Sequence, residues 1–405
     1  MGKRIGQARL ERLLESLKRD IDLSGSKLIL DGSSDNVNRM AGRSPDRYYL
    51  EEYFKQKPSL NADLDSGGTT TTAAELTAAL IANKDFQLEG TNAATTSGDF
   101  EATYPGIKLT TGTTEADQCI IRPHADSDQS AWNNIAWATH AELEWECSLT
   151  LDAVDNQAVW AGLKLTSDHL AATDANQIYF VCRSDGASGL AETLSTTDNA
   201  AQNVNGSNMQ WHCIYSIAGV DYTTNLGLAV AADTQYHLKI VIDSDRKAAV
   251  YINGTQYGLV NDSGHQGQGN TGTTATWGQT DTLINGSSAG STSTGEIAIT
   301  VDGVDARSTF KALDYVYEVG SAVPAGQVKS VDSATQITLY SLDSTMADND
   351  ELYNFGQKAT SSDQKSKALT TDINLMPVVG IEAGDAAAEV LYVHYTAINR
   401  KIADS

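Results

Sequence analysis

The 405-residue chain has little of what membrane, redox or metal chemistry requires. No run of apolar residues is long enough to span a bilayer as a helix. The charged N-terminus has no apolar stretch behind it of the kind a secretory signal carries. The four cysteines, Cys119, Cys147, Cys182 and Cys213, form no C-x-x-C pair and point to a folding compartment without disulfides. The seven histidines are scattered, with neither H-x-x-x-H nor H-E-x-x-H, so the sequence offers no zinc site. Positive charge is also scarce: 28 Lys and Arg stand against 52 Asp and Glu, a net of −24. The imbalance is uneven. Residues 1–57 hold 12 basic and 9 acidic residues, and the rest of the chain holds 16 and 43. A body so acidic repels polyanions, which argues against nucleic acid and anionic membrane as partners there.

The first segment differs from the rest. Ile5, Leu10, Leu13, Leu14, Leu17 and Ile21 recur at spacings of three and four, flanked by Arg4, Arg9, Arg12, Lys18 and Arg19. This predicts a basic amphipathic helix that ends near Gly25. Its apolar stripe has nothing local to pack on, so it calls for a partner. Residues 25–72 read as an extended arm, with the aromatic-rich "RYYLEEYF" at Arg47–Phe54 as an anchoring patch. Arg4, Arg9, Leu10, Leu13, Leu17, Tyr48, Tyr49 and Phe54 are the candidate anchoring residues. Ala73–Phe86 reads as a short helix or adapter entering the body.

From about residue 86 the pattern is that of strands. In "AELEWECSLTLDAV", Leu143, Trp145, Cys147, Leu149 and Leu151 alternate with Glu142, Glu144, Glu146, Ser148 and Thr150, as in a half-buried antiparallel strand. Tyr236, Leu238, Ile240 and Ile242 repeat the pattern, and turns such as Asn253-Gly254 punctuate it. Residues 261–294 form a polar loop. Shorter strands follow to about residue 357, then a second polar linker, and then a β-prone strand at Leu391–Ile398 in which Leu391, Val393 and Tyr395 alternate with Tyr392, His394 and Thr396.

"GIKLTTG…ADQCIIRPH", "LEWECSLTLDAV…AVWAGLKLTS", "YHLKIVIDSDRKAAVYINGTQYG" and "AEVLYVHYTAI" resemble a concanavalin A-like (laminin-G-like) jelly roll. More closely, they resemble the version found in structural proteins of tailed phages, marine ones especially. "MGKRIGQARLERLLESLKRD" is similar to N-termini of such virion proteins, and "SAVPAGQVKSVDSATQITLY" to a small β-module of phage fibre and decoration proteins. The resemblance implies a mainly β protein, a jelly-roll sandwich with an inserted β-module. It implies four parts: helix and arm at 1–85, the first part of the sandwich at 86–294, the module at 295–357, and a linker with closing strands at 358–405. It further implies a capsid decoration or head-surface protein, homo-oligomeric with a trimer favoured. Such a protein folds in the host cytoplasm, sits on the virion surface and docks on other virion proteins through its arm. The alternative is a receptor-binding module of a tail fibre or spike that recognises host-surface glycans.

Three chemical candidates accompany that reading. "ELEWE" resembles the catalytic strand of laminarinase-type glycoside hydrolases, with Glu142, Glu144 and Glu146 as carboxylates, although the central residue there is Asp. Short motifs match by chance, and a solvated strand face is the plainer reading, so the expectation is that the chain is not an enzyme. Trp277, in a polar loop, is the candidate carbohydrate platform, with Trp132, Trp137 and Trp211 as others, while Trp145 and Trp160 belong to alternating strands and the core. The acidic stretches Asp126–Gln129 and Asp343–Glu351 contain closely spaced oxygens for Ca²⁺, but read as solvated turns, so no cofactor is expected.

Overall fold

A computed structural model describes residues 21–22, 27–28, 46–60, 83–94, 97–124, 130–167, 173–184, 205–206, 209–257, 279–318, 323–353 and 368–402. The chain forms two compact units, Met1–Tyr49 with Asn399–Ser405, and Leu50–Ile398. In the smaller unit Ile21–Asp22 pairs antiparallel with Lys27–Leu28, so Ile21 is in a strand rather than on the expected helix. Arg47 Nε donates to Asn399 Oδ1 at 2.5 Å, and the Ile402 N–H to the Asp46 carbonyl at 2.6 Å. The remaining helix positions, Arg4, Arg9, Leu10, Leu13 and Leu17 among them, lie outside the described residues.

The larger unit holds a two-sheet jelly-roll sandwich of the concanavalin A type. Sheet 1 runs, in spatial order, Val220–Ala229, Gln210–Ile217, Gln177–Ser184, Gln157–Lys164, Met376–Ala383, Gln118–Pro123, Asn83–Glu89 and Pro58–Leu60. Sheet 2 runs Thr255–Tyr257, Ala248–Ile252, Gln235–Ile242, Glu144–Leu151, Val390–Lys401, Ile107–Thr110 and Gly98–Asp99. The alternation read from the sequence carries the core. Leu143, Trp145, Cys147, Leu149 and Leu151 are all fully buried, and Trp145, Cys147 and Leu149 stand opposite Ile240, Leu238 and Tyr236. Each such side chain contributes about 1.5–3 kcal/mol by leaving water. Met376–Ala383 and Val390–Lys401 occupy inner positions of the two sheets.

The strands Gln279–Ile284, Ile297–Gly303, Gln336–Leu339, Gly326–Ser333, Tyr315–Glu318 and Glu351–Tyr353 close into a small barrel. It has its own core around Phe310, Ile299, Val301 and Ile337. Tyr317 of the barrel joins the sandwich core, with Tyr315 packed against it, and the Tyr317 hydroxyl donates to the Gln256 carbonyl.

Two local expectations are corrected. Pro58–Leu60 pairs in parallel with Asn83–Glu89, so this stretch of the expected arm is a strand of sheet 1. Asn83–Glu89 is itself a strand rather than the end of a helix, because Phe86 and Leu88 enter the core while Gln87 and Glu89 face the other way.

The outer face of sheet 1 is as dry as the core. Trp160, Tyr179, Val181, Ile214, Val378 and Ile120 form a second apolar cluster there. Beside it Lys164 and Gln177, both fully buried, are bonded to each other, and Gln177 Nε2 donates to Ser216 Oγ at 2.9 Å. The open face of the sandwich is therefore that of sheet 2.

Candidate functional site

On the outer face of sheet 2 lies a groove of about 820 Å³ lined by Tyr53, Phe54, Lys55, Phe100, Glu101, Pro105, Gly106, His394 and Tyr395. Three distant segments build it. The first carries a φ of 49° at Phe54. Phe54 is 1% exposed and packs edge-on against Phe86 at 5.3 Å, whereas Tyr53 remains 45% exposed. An aromatic residue holds so unusual a φ only where its surroundings impose it. Phe54 is therefore a core residue and not part of a docking patch, which corrects its assignment as an anchor; Tyr48 is 38% exposed.

The second segment carries Phe100, 48% exposed. Asp99 fixes it: its carboxylate accepts from the Phe100 N–H at 2.9 Å and pairs with Lys57 at 3.1 Å, and both interactions hold its pKa below the usual range. Gly106 lets this segment approach the third. Its φ is 112°, and a Cβ would lie 2.2 Å from the Val393 carbonyl oxygen, so no other residue fits.

The third segment is Val390–Lys401. Leu391, Val393 and Ile398 face the core, and Thr396 accepts from Trp145 Nε1 at 3.1 Å and donates to the Glu146 carbonyl at 3.2 Å. The strand thus changes phase between Val393 and Thr396. Tyr395 is buried, at 8% exposure, as alternation with Val393 expects, but its ring lies 5.9 Å from Tyr53 and 5.8 Å from His237 rather than in the main core cluster. His394 forms the floor. Its Nδ1 donates to the Pro105 carbonyl at 2.6 Å and its Nε2 meets Thr150 Oγ1 at 2.8 Å. Burial lowers its pKa, so it sits as a neutral imidazole.

Beneath Tyr395 the polar face of Glu144–Leu151 reaches the site. Tyr395 is hydrogen-bonded to His237 Nε2, which lies 3.6 Å from Glu146. Lys239 lies 3.4 Å from Glu146 and 3.8 Å from Glu144. Of the three carboxylates singled out in the sequence, two therefore share this face. Glu142 precedes the strand at a φ of 50°, which breaks the expected E-x-E-x-E row. Trp132, Trp137 and Trp211, proposed as sugar platforms, are buried at 0–2% exposure, and Trp137 Nε1 donates to the Trp132 carbonyl at 2.7 Å. Trp277 lies outside the described residues. Tyr53 lies within the aromatic patch and His394 and Tyr395 within the closing strand read from the sequence, but no local signal joins them to Phe100 in one groove.

Near the groove Tyr104 stacks on Tyr392 at 4.4 Å, and the Tyr392 hydroxyl, pushed up to about 12 chiefly by burial and next by Asp152, donates to that carboxylate at 3.4 Å. Glu389, 8% exposed, sits in the same acidic corner; burial, with Asp385, Asp155 and Asp152, raises its pKa to about 7. Folded Glu389 holds its proton between about pH 4.5 and 7 while the unfolded chain has lost it, so its contribution to stability declines as pH rises through that window. Glu389→Gln is expected to melt higher than the parent at pH 8, with the gap closing by pH 4.5. A gap independent of pH would mean that the carboxylate's charge is not its cause.

No family model matches the chain, and no curated protein does. Solved structures do match. A protein of unknown function from Shewanella oneidensis MR-1 is 11% identical, with 89% of each chain covered and a TM-score of 0.30. A β-1,3-glucanase from Mycobacterium marinum is 8% identical, with 88% of this chain and 92% of that one covered and a TM-score of 0.31. The carbohydrate recognition domain of Emp46p is 5% identical, with 85% and 95% covered and a TM-score of 0.30. The expectation that the chain is not an enzyme is corrected by this comparison, since glucan-cleaving enzymes and alginate lyases stand among the matching structures. Catalysis is therefore an activity to be measured.

Proposed function

We propose that the chain binds carbohydrate in the groove of sheet 2. One observation carries this reading: Tyr53 and Phe100, each about half exposed, stand on the walls of a cavity of about 820 Å³ whose floor is fixed by hydrogen bonds. Aromatic faces left in water at a concave site suit the apolar faces of pyranose rings, while hydroxyls find partners at the polar rim. Glycan cleavage in the same groove is a second reading, favoured by the hydrogen-bonded Tyr395 and His237 with Glu146 behind them. Tyr53→Ala and Phe100→Ala are each expected to weaken binding to a glycan panel about tenfold, which corresponds to 1.4 kcal/mol, with an unchanged melting temperature. Scoring the same panel for released products separates binding from cleavage. A wild-type chain that retains no glycan, or variants that bind as it does, would remove the proposal.

Display on a phage particle completes the proposal, with a head-surface site first and a tail fibre or spike second. Its support is the sequence resemblance and the basic N-terminal segment. Imaging intact particles with a label on the chain tests it, and an unlabelled particle would refute it.

A further inference from the structure

We infer that the groove selects a glycan bearing a single carboxylated sugar, and that Lys55 is the residue that meets the carboxylate. This deepens, and rests on, the carbohydrate reading above. The bases flanking the groove have acidic neighbours: Lys57 is 3.1 Å from Asp99 and Lys108 is 4.0 Å from Glu101. Lys55 lines the groove, is exposed, and among the described residues makes no ion pair or side-chain hydrogen bond.

The other ionisable groups of the lining leave that charge standing. Glu101 faces Lys108 and accepts from the Ala102 N–H at 3.0 Å. His394 is committed to Pro105 and Thr150. Among the described residues the groove therefore offers one uncancelled cation beside two exposed aromatic rings. An ammonium is a compact point charge that meets a carboxylate without demanding the planar fork of an Arg site.

The rest of the molecule limits how much negative charge can follow. With a net charge of −24, the surface repels a polymer carrying a carboxylate on every residue. A single acidic unit, held at Lys55 and flanked by neutral sugars, escapes that repulsion, because interactions beyond about 8–10 Å are largely screened at moderate salt.

The full chain would be titrated with two oligosaccharides identical except for a terminal glucuronic acid or glucose, and with a polyuronate. The acid-ended sugar is expected to bind about fivefold more tightly than the neutral one, the ratio an exposed ion pair provides. Lys55→Gln should abolish the ratio, whereas Tyr53→Ala should weaken both sugars and keep the ratio. Raising salt from about 0.01 M to about 1 M, which shortens the Debye length from about 30 to 3 Å, should also abolish it. An acid preference that survives Lys55→Gln, equal binding of the two sugars, or tightest binding of the polyuronate would overturn the inference while leaving the carbohydrate reading in place. Failure of all three to bind would overturn both.

Discussion

Asp174→Ala is expected to cost about 3–5 kcal/mol of stability, the loss that follows when one member of a buried ion pair is removed. Asp174 Oδ2 lies 3.3 Å from Lys164 Nζ, with the two side chains 1% and 0% exposed. The carboxylate also accepts from the Leu165 and Thr166 N–H groups at 3.2 and 3.1 Å and from Thr166 Oγ1 at 2.9 Å. The Lys164 ammonium sits over the Tyr179 ring at 4.1 Å and bonds Gln177, so it cannot swing out to water without dismantling the outer face of sheet 1. Urea unfolding reads the effect as a fall in midpoint at constant m. Combining Asp174→Ala with Lys164→Met should recover much of the loss, since an apolar replacement of both partners leaves no charge to desolvate. A single variant that loses less than about 1 kcal/mol, the range of an exposed pair, would show that the pair is not needed.

The second large effect lies on the same strand as Lys164, where Trp160 crosses Gly380 of the neighbouring strand. The two residues are register partners, and a Cβ on Gly380 would stand 2.2 Å from Trp160 Cζ2 and 2.4 Å from Cε2. Trp160 is fully buried among Ile120, Tyr179, Val181, Ile214 and Val378, and its Nε1 donates to the Ser167 carbonyl at 3.2 Å. Trp160→Ala is expected to cost about 3–5 kcal/mol through the cavity it leaves. Gly380→Ala should cost about 1–3 kcal/mol through overpacking. In the Trp160→Ala background the Gly380→Ala penalty should vanish, because the ring it strikes is gone. Strict additivity of the two losses in a double-mutant cycle would refute the clash.

The fold was legible where the period of two governed both faces. The apolar positions from Leu143 to Leu151 and from Tyr236 to Ile242 are buried as that alternation requires, although Ser148 and Thr150 on the opposite face are buried too. Legibility failed where a tertiary bond overrode the period. Thr396 is held inward by Trp145, so the strand changes phase there, and Tyr395, 8% exposed, packs against His237 and lines the groove. Phe54 looked like part of an exposed aromatic patch because its positive φ cannot be read from "YFK", yet it is a core ring and Tyr53 beside it a groove ring. The groove itself joins residues 53–55, 100–106 and 394–395, and no local motif announces a site assembled over such distances. The carboxylate row was half legible: the strand period brings Glu144 and Glu146 to one face, while the backbone turn at Glu142 ends it.

The position of Met376–Ala383 and Val390–Lys401 within the two sheets governs the order in which the protein can be made. On the ribosome, Gln157–Lys164 emerges long before Gly380, the partner of Trp160, and Glu144–Leu151 long before the strand that supplies Thr396. Until then both half-sheets present unpaired edges and a wet core, the species most open to wrong pairing with a neighbouring chain. The barrel strands, Gln279–Tyr353, are synthesised within that interval and pair among themselves. A nascent chain halted before residue 376 should thus carry a folded barrel on an open sandwich, and it would be the stage of synthesis at which a chaperone has most to hold.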